Sequence, residues 1–118
     1  MSRHNSPSGP PLPGVDAWAH IVDDGSGPVI VTGFAIVDVI KTATGEYQLT
    51  PSPPLNIDVC AVGASYRNNV VGVAGVCFIG NVVGPPPPLG SISIVRFQVF
   101  PVNILEDGDF DVWIIRTG

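Results

Sequence analysis

Charge is what this chain has least of. Only 13% of its 118 residues are Asp, Glu, Lys or Arg, about half the usual share of a soluble domain. Lys41 is the single lysine, the four arginines (Arg3, Arg67, Arg96, Arg116) are scattered, and the net charge is −5. Nothing in that inventory neutralises a phosphate backbone, so nucleic-acid binding is not expected. Long apolar runs are also missing. None approaches the ~20 residues of a membrane span, and the opening Met1-Ser2-Arg3-His4 leads into prolines instead of a signal-type apolar stretch. The expectation is a soluble product, made in the cytosol, without membrane insertion.

Reactive side chains are equally scarce. There are two histidines: His4 in a proline-rich segment, and His20 two residues from Trp18, where a packed or surface role is expected. No G-x-S-x-G elbow, H-E-x-x-H pair, phosphate loop or G-x-G-x-x-G occurs. An enzyme would need a pocket joining His20 to carboxylates from another strand, and that reading ranks last; neither catalysis nor an organic cofactor is expected. Cys60 and Cys77 fall short of a zinc ligand set. Both sit in apolar stretches, so buried reduced thiols are the favoured reading, with a disulfide between neighbouring strands as the alternative.

What is present is apolar material, at 45% of residues. A single domain of this size buries a modest fraction of its surface, so the excess points to a subunit interface. Residues 1–14 (MSRHNSPSGPPLPG) form an arm with little to bury, extended or disordered unless it lies on something; residues 15–118 form the domain. From Ala17 onward the chain reads as β-branched and aromatic runs cut by turn residues, with no helical periodicity. Strands are expected at 17–22, 29–42 with a break at Gly33, 46–50, 57–65, 70–80, 92–101 and 109–116. Asp24-Gly25, Thr44-Gly45, Asn68-Asn69 and Asp107-Gly108 supply turns. The proline clusters at 51–54 and 85–88 cannot lie in a central strand and read as surface connections. The expected architecture is all-β, a two-sheet jelly-roll-like β-sandwich.

Three segments carry more detail. In residues 91–99, Ile92 and Ile94 share one face while Val95, Phe97 and Val99 share the other, a phase change that a β-bulge after Ile94 would produce. Residues 70–80 are uncharged, glycine-rich and apolar on both faces, so Val70, Val71, Val73 and Val76 are candidate interface residues. Trp113, on the outward face of the last strand, is a further one. In Glu106-Asp107-Gly108-Asp109-Phe110-Asp111, four carboxylates fall in six residues. Asp107, Asp109 and Asp111 alternate as Ca²⁺-loop acids do, although the glycine is misplaced and no bidentate glutamate follows; a solvated acidic turn is the alternative.

Gly33-Phe34-Ala35, Thr44-Gly45-Glu46-Tyr47-Gln48-Leu49, Ile57-Asp58-Val59-Cys60-Ala61-Val62 and the closing Asp109-Phe110-Asp111-Val112-Trp113-Ile114 resemble the jelly-roll heads of the C1q and tumour-necrosis-factor type. The likeness is to the versions in bacteriophage tail fibres and other virion proteins. It implies a trimer around an apolar threefold axis, partners bound through loops or the outer surface, and no catalytic residue. On that basis the chain is expected to be a non-enzymatic, homotrimeric virion component, decorating a capsid or heading a tail tip or fibre and docking by its N-terminal arm onto other virion proteins. The alternative is a carbohydrate- or protein-binding module on a bacterial surface, which requires exposed aromatics such as Trp18, Tyr66 and Trp113 to cluster in one concave patch.

Overall fold

A computed structural model describes residues 10–11, 13–52, 60–68, 71–83 and 91–116. Among them are nine strands: β1 (Ala17–Asp23), β2 (Pro28–Phe34), β3 (Ile36–Ala43), β4 (Glu46–Pro51), β5 (Cys60–Tyr66), β6 (Ala74–Val83), β7 (Ser91–Phe100), β8 (Ile104–Leu105) and β9 (Phe110–Arg116). They form two antiparallel sheets, ordered β2-β1-β9-β5 and β3-β4-β7-β6, with β8 paired to β7. The chain is an all-β sandwich. β9 pairs with both β1 and β5, β4 pairs with β7, and β5 touches β6 where the sheets meet.

The core follows from period-two alternation. Ala17, Ala19 and Ile21 of β1 and Phe110, Val112 and Ile114 of β9 point inward from the first sheet. Val39, Tyr47, Leu49, Ile92 and Ile94 meet them from the second. Each fully buried Ile, Leu or Phe contributes about 1.5–3 kcal/mol relative to exposure. The Tyr47 and Phe110 rings, 5.0 Å apart at 44°, tie the two layers together.

Four expectations need correction. The break in 29–42 falls at Ala35, at φ 63°, which turns the chain from the first sheet into the second. Gly33 stays within β2, because a Cβ there would stand 2.8 Å from the Trp18 carbonyl oxygen; it is a close-approach glycine. Nor does β7 bulge after Ile94. It holds one phase, burying Ile92, Ile94, Arg96 and Gln98 and turning Val95, Phe97 and Val99 outward. The β6–β7 register shift nearest that point puts the extra residue on β6, between Ile79 and Asn81. Asp107-Gly108 is not a hairpin turn, since the segment carries the chain from β8 in one sheet to β9 in the other. Finally, the strand expected at 70–80 begins at Ala74, after a turn at Val71-Gly72 with Gly72 at φ 85°.

A fifth correction concerns the proline cluster at 51–54: Pro51 is no surface connection but the buried last residue of the central strand β4, opposite Ile36 and past the stretch that pairs with β7. Pro53, Pro54, residues 85–88, Asn69 and Val70 lie outside the described residues, as do residues 1–9 of the arm.

Candidate binding surfaces

The outer face of the first sheet is built in rows, because residues paired across strands share a face. One row is aromatic: Phe34, Trp18, Trp113 and Gly63 stand opposite one another on β2, β1, β9 and β5. Gly63 completes it by absence, since a Cβ there would stand 2.4 Å from the Trp113 indole. The neighbouring row is polar: Thr32, His20, Asp111 and Ser65. His20 Nδ1 lies 2.8 Å from Asp111 Oδ1, and Arg67 Nη1 donates to Asp111 Oδ2 at 2.8 Å. So His20 does meet a carboxylate from another strand, and the second oxygen of that carboxylate is held by Arg67.

Beside these rows runs an open groove of about 410 Å³, with apolar walls from Val15, Trp18, Trp113 and Ile115 and Asp111 on its border. The Trp18 indole N–H is engaged, donating to the Pro10 carbonyl oxygen at 2.8 Å. Trp18 and Trp113 thus cluster in one concave patch. Tyr66 does not join them: it lies opposite Phe110 with its ring 4.0 Å beneath the Arg96 guanidinium and its hydroxyl donating to Glu106.

The acidic segment is organised by a buried cation. Arg96, 4% exposed, donates through Nε to the Asp109 carbonyl, through Nη1 to Glu106 Oε1 and the Glu106 and Asp107 carbonyls, and through Nη2 to the Arg67 carbonyl. Gly108 makes room for it, as a Cβ there would stand 2.4 Å from the guanidinium carbon. Asp107 accepts from Lys41 Nζ and the Gly45 N–H, both at 2.7 Å. Asp109 accepts from the Asp23 N–H, and Tyr47 bridges the two turns by donating to Asp23 and accepting from the Gly108 N–H. The Asp23-Asp24-Gly25 turn therefore does meet the acidic segment. Yet Asp107, Asp109 and Asp111 do not converge on a Ca²⁺ site: each faces a different donor, and among the described residues no group of three or more Asp, Glu, His or Cys side chains is placed to hold an ion.

Burial alone would raise the Asp107 pKa, but the bonds from Lys41 and Gly45 outweigh it and hold the carboxyl below its ordinary value. A lowered folded-state pKa means the stabilisation is complete above the unfolded value, about pH 4, and is lost as pH falls through the folded one. Urea midpoints should therefore fall as pH drops below about 4, and Asp107→Asn should remove part of that acid dependence. An unchanged profile in the variant would refute the assignment.

The outer face of the second sheet is different in kind. Val76 and Phe78 on β6 stand opposite Phe97 and Val95 on β7, with Leu105 of β8 on the other side of Phe97. The five side chains are uncharged, the patch ends at β4 where Glu46 stands opposite Val95, and Phe78 is 52% exposed. Of the candidate interface residues, Val76 belongs to this face, Val71 is fully exposed on the preceding turn, Val73 is half-buried, and Trp113 lies on the opposite side of the sandwich. Val76 and Trp113 cannot share one flat interface. Cys77 points inward opposite Arg96 as a free thiol, its pKa pushed up to about 11 by burial; the Cys60 side chain lies outside the described residues.

The sequence signals for these surfaces were partial. Trp18 and Trp113 were singled out, but nothing local showed that they pair. Arg67 and Arg96 carry no local signal of their roles, because isolated arginines read as surface charge. Gly63 could have been noticed as a glycine inside a strand, a sign of close approach.

No family model, curated protein or solved structure matches this chain.

Proposed function

We propose that this protein is a non-enzymatic structural β-sandwich that works as a homo-oligomer, joined through the outer face of β6, β7 and β8. The observation that carries the reading is the uncharged patch of Val76, Phe78, Val95, Phe97 and Leu105 on a chain with so few charges to spare. Apolar surface grouped in this way, with Val76 and Phe78 exposed and Val95, Phe97 and Leu105 half-buried beside them, marks an interaction site, and β6 is the outermost strand of its sheet, where a second copy can approach without disturbing the core. The trimeric state and the setting, a bacteriophage virion, come from the resemblance to jelly-roll heads; the two-sheet antiparallel sandwich is compatible with it.

Light scattering should give about three times the 12.3 kDa chain mass at micromolar concentration, as a closed cyclic trimer requires. Phe78→Glu, which places a charge on the patch without touching the core, should reduce the mass to one chain while leaving unfolding cooperative. A native chain that is already monomeric would overturn the proposal.

A second reading, a binding module, is favoured by the Trp18–Trp113 groove. It lies on the opposite face and is compatible with assembly through β6 and β7.

A further inference from the structure

The outer face of the first sheet contributes nothing to the core, yet three of its side chains are held in place by specific contacts. The Trp113 indole lies across Gly63 on the neighbouring strand, where a Cβ would stand 2.4 Å from two of its ring carbons. The Trp18 indole is fixed at its edge by the bond from its N–H to the Pro10 carbonyl. Asp111 is fixed through both oxygens, Oδ1 by His20 and Oδ2 by Arg67. Surface side chains are ordinarily free to rotate, and ordering them on binding costs conformational entropy. Here the ordering precedes any ligand, which is the preorganisation that a binding site needs and a passive surface does not.

The two rows on this face ask different things of a ligand. Phe34, Trp18 and Trp113 form an aromatic row across three strands, ~10 Å in length, and Trp113 stays 37% exposed. The polar row of Thr32, His20, Asp111 and Ser65 runs parallel to it, about 7 Å away along the strands. It can both donate and accept. Thr32 and Ser65 bring hydroxyls, Arg67 brings a half-exposed guanidinium, and His20 turns Nδ1 to Asp111 so that Nε2, across the ring, faces away from that carboxylate.

Charge then selects among ligands. The Asp111 carboxylate is matched by the Arg67 guanidinium, so this ion pair offers no net charge. A cation stacked over the indoles would meet Arg67, and an anion would meet Asp111. A wholly apolar ligand would strip water from the polar row and leave it without partners. A chain of neutral sugars answers both rows at once: each hexopyranose ring has a face of C–H groups that packs on an indole and a rim of hydroxyls that donate and accept. The groove, about 410 Å³ and open, is of small-ligand size, and on a sheet face it takes an extended chain.

We infer that the outer face of β1 and β9 is a glycan-binding site for a neutral, extended β-linked hexopyranose chain, with ring faces on Trp18 and Trp113 and hydroxyls on the His20–Asp111–Arg67 row. The inference rests on the binding-module reading and is independent of assembly through β6, β7 and β8.

The full-length chain labelled with ¹⁵N tests it, since its two tryptophans give two indole N–H signals, assigned with Trp18→Phe and Trp113→Phe. Cellohexaose or chitohexaose should shift both signals in a saturable titration. Trp113→Ala should weaken that binding roughly tenfold or more, and so should Gly63→Ala, which displaces the indole, and Asp111→Asn, which loosens the polar row. Each variant should keep the native mass by light scattering, so that lost binding is not lost folding. Binding undiminished in Trp113→Ala would place the sugar elsewhere and overturn the site. If neither glycan shifts either indole, the glycan assignment fails. Shifts with benzyltrimethylammonium or a proline-rich peptide instead would overturn only the ligand class and keep a binding module; no shift with any of these probes would overturn the binding-module reading as well.

Discussion

Replacing Arg96 with methionine should lower the unfolding free energy by roughly 3 kcal/mol, towards the 3–5 kcal/mol seen when one partner of a buried charged network is removed. Methionine keeps much of the side-chain volume, so the loss isolates the polar role. The ion pair to Glu106 is the smaller part of it: that carboxylate is 38% exposed, and pairs so close to solvent contribute ~1 kcal/mol or less. The larger part is backbone. The carbonyls of Arg67, Glu106, Asp107 and Asp109 all accept from one guanidinium, and dry acceptors left without donors cost about 1–3 kcal/mol each where water cannot reach them. Buried ion pairs elsewhere can be exchanged for hydrophobes without loss because both partners go; here the acceptors are main chain and stay. Arg96→Lys should recover less than half, since a single ammonium cannot address acceptors arranged around a planar fork. Urea denaturation checks this, and a methionine variant within ~1 kcal/mol of native would show that the carbonyls find other donors.

The same residue shows where the sequence stops being legible. The strands ending in buried apolar faces could be read from alternation: 17, 19 and 21 in β1, 110, 112 and 114 in β9. In β7 the alternation is legible, but which half of it faces the core beyond Ile94 is not. Apolar Val95, Phe97 and Val99 look like interior, and Arg96 and Gln98 look like surface, unless one knows that residues 106–109 fold back to satisfy the arginine. That is long-range information. β8, only two residues, has no periodicity to find, and Ala35 carries no local mark of its left-handed conformation.

For the candidate site, the residues were visible and their arrangement was not. Trp18 and His20 alternate outward on β1, and Asp111 and Trp113 do so on β9. If first and last strands pair antiparallel, His20 meets Asp111 and Trp18 meets Trp113. The pairing joins residues more than ninety positions apart, and no local pattern states which strands are neighbours. The acidic run is legible as chemistry that needs partners; Lys41, Gly45, Arg67 and Arg96 are the donors it meets.

Gly45→Ala should cost about 3 kcal/mol or more, and the reason is a coincidence of two constraints. Gly45 sits at φ 71°, where any L-residue pays about 1–2 kcal/mol. Its missing Cβ would also stand 2.7 Å from the Glu106 nitrogen and 2.8 Å from the Arg96 carbonyl oxygen. Those two atoms are hydrogen-bonded to each other at 3.2 Å, so the methyl would wedge into a main-chain bond that no rotamer change can move aside. The glycine is itself held in place, its N–H donating to Asp107 and its carbonyl accepting from the Arg96 N–H. Moving the β3–β4 turn away to make room would therefore break the contacts that fix the acidic segment. Gly72 provides the control. It too has positive φ, at 85°, but nothing lies within 4 Å of its would-be Cβ, so Gly72→Ala should cost only the conformational ~1–2 kcal/mol. Paired urea titrations read the difference directly. A gap of at least ~1 kcal/mol between the two variants places the extra cost in the packing of the β3–β4 turn against β7 and residues 105–106. Equal losses would mean that this turn yields freely, and that Arg96 holds the acidic segment without it.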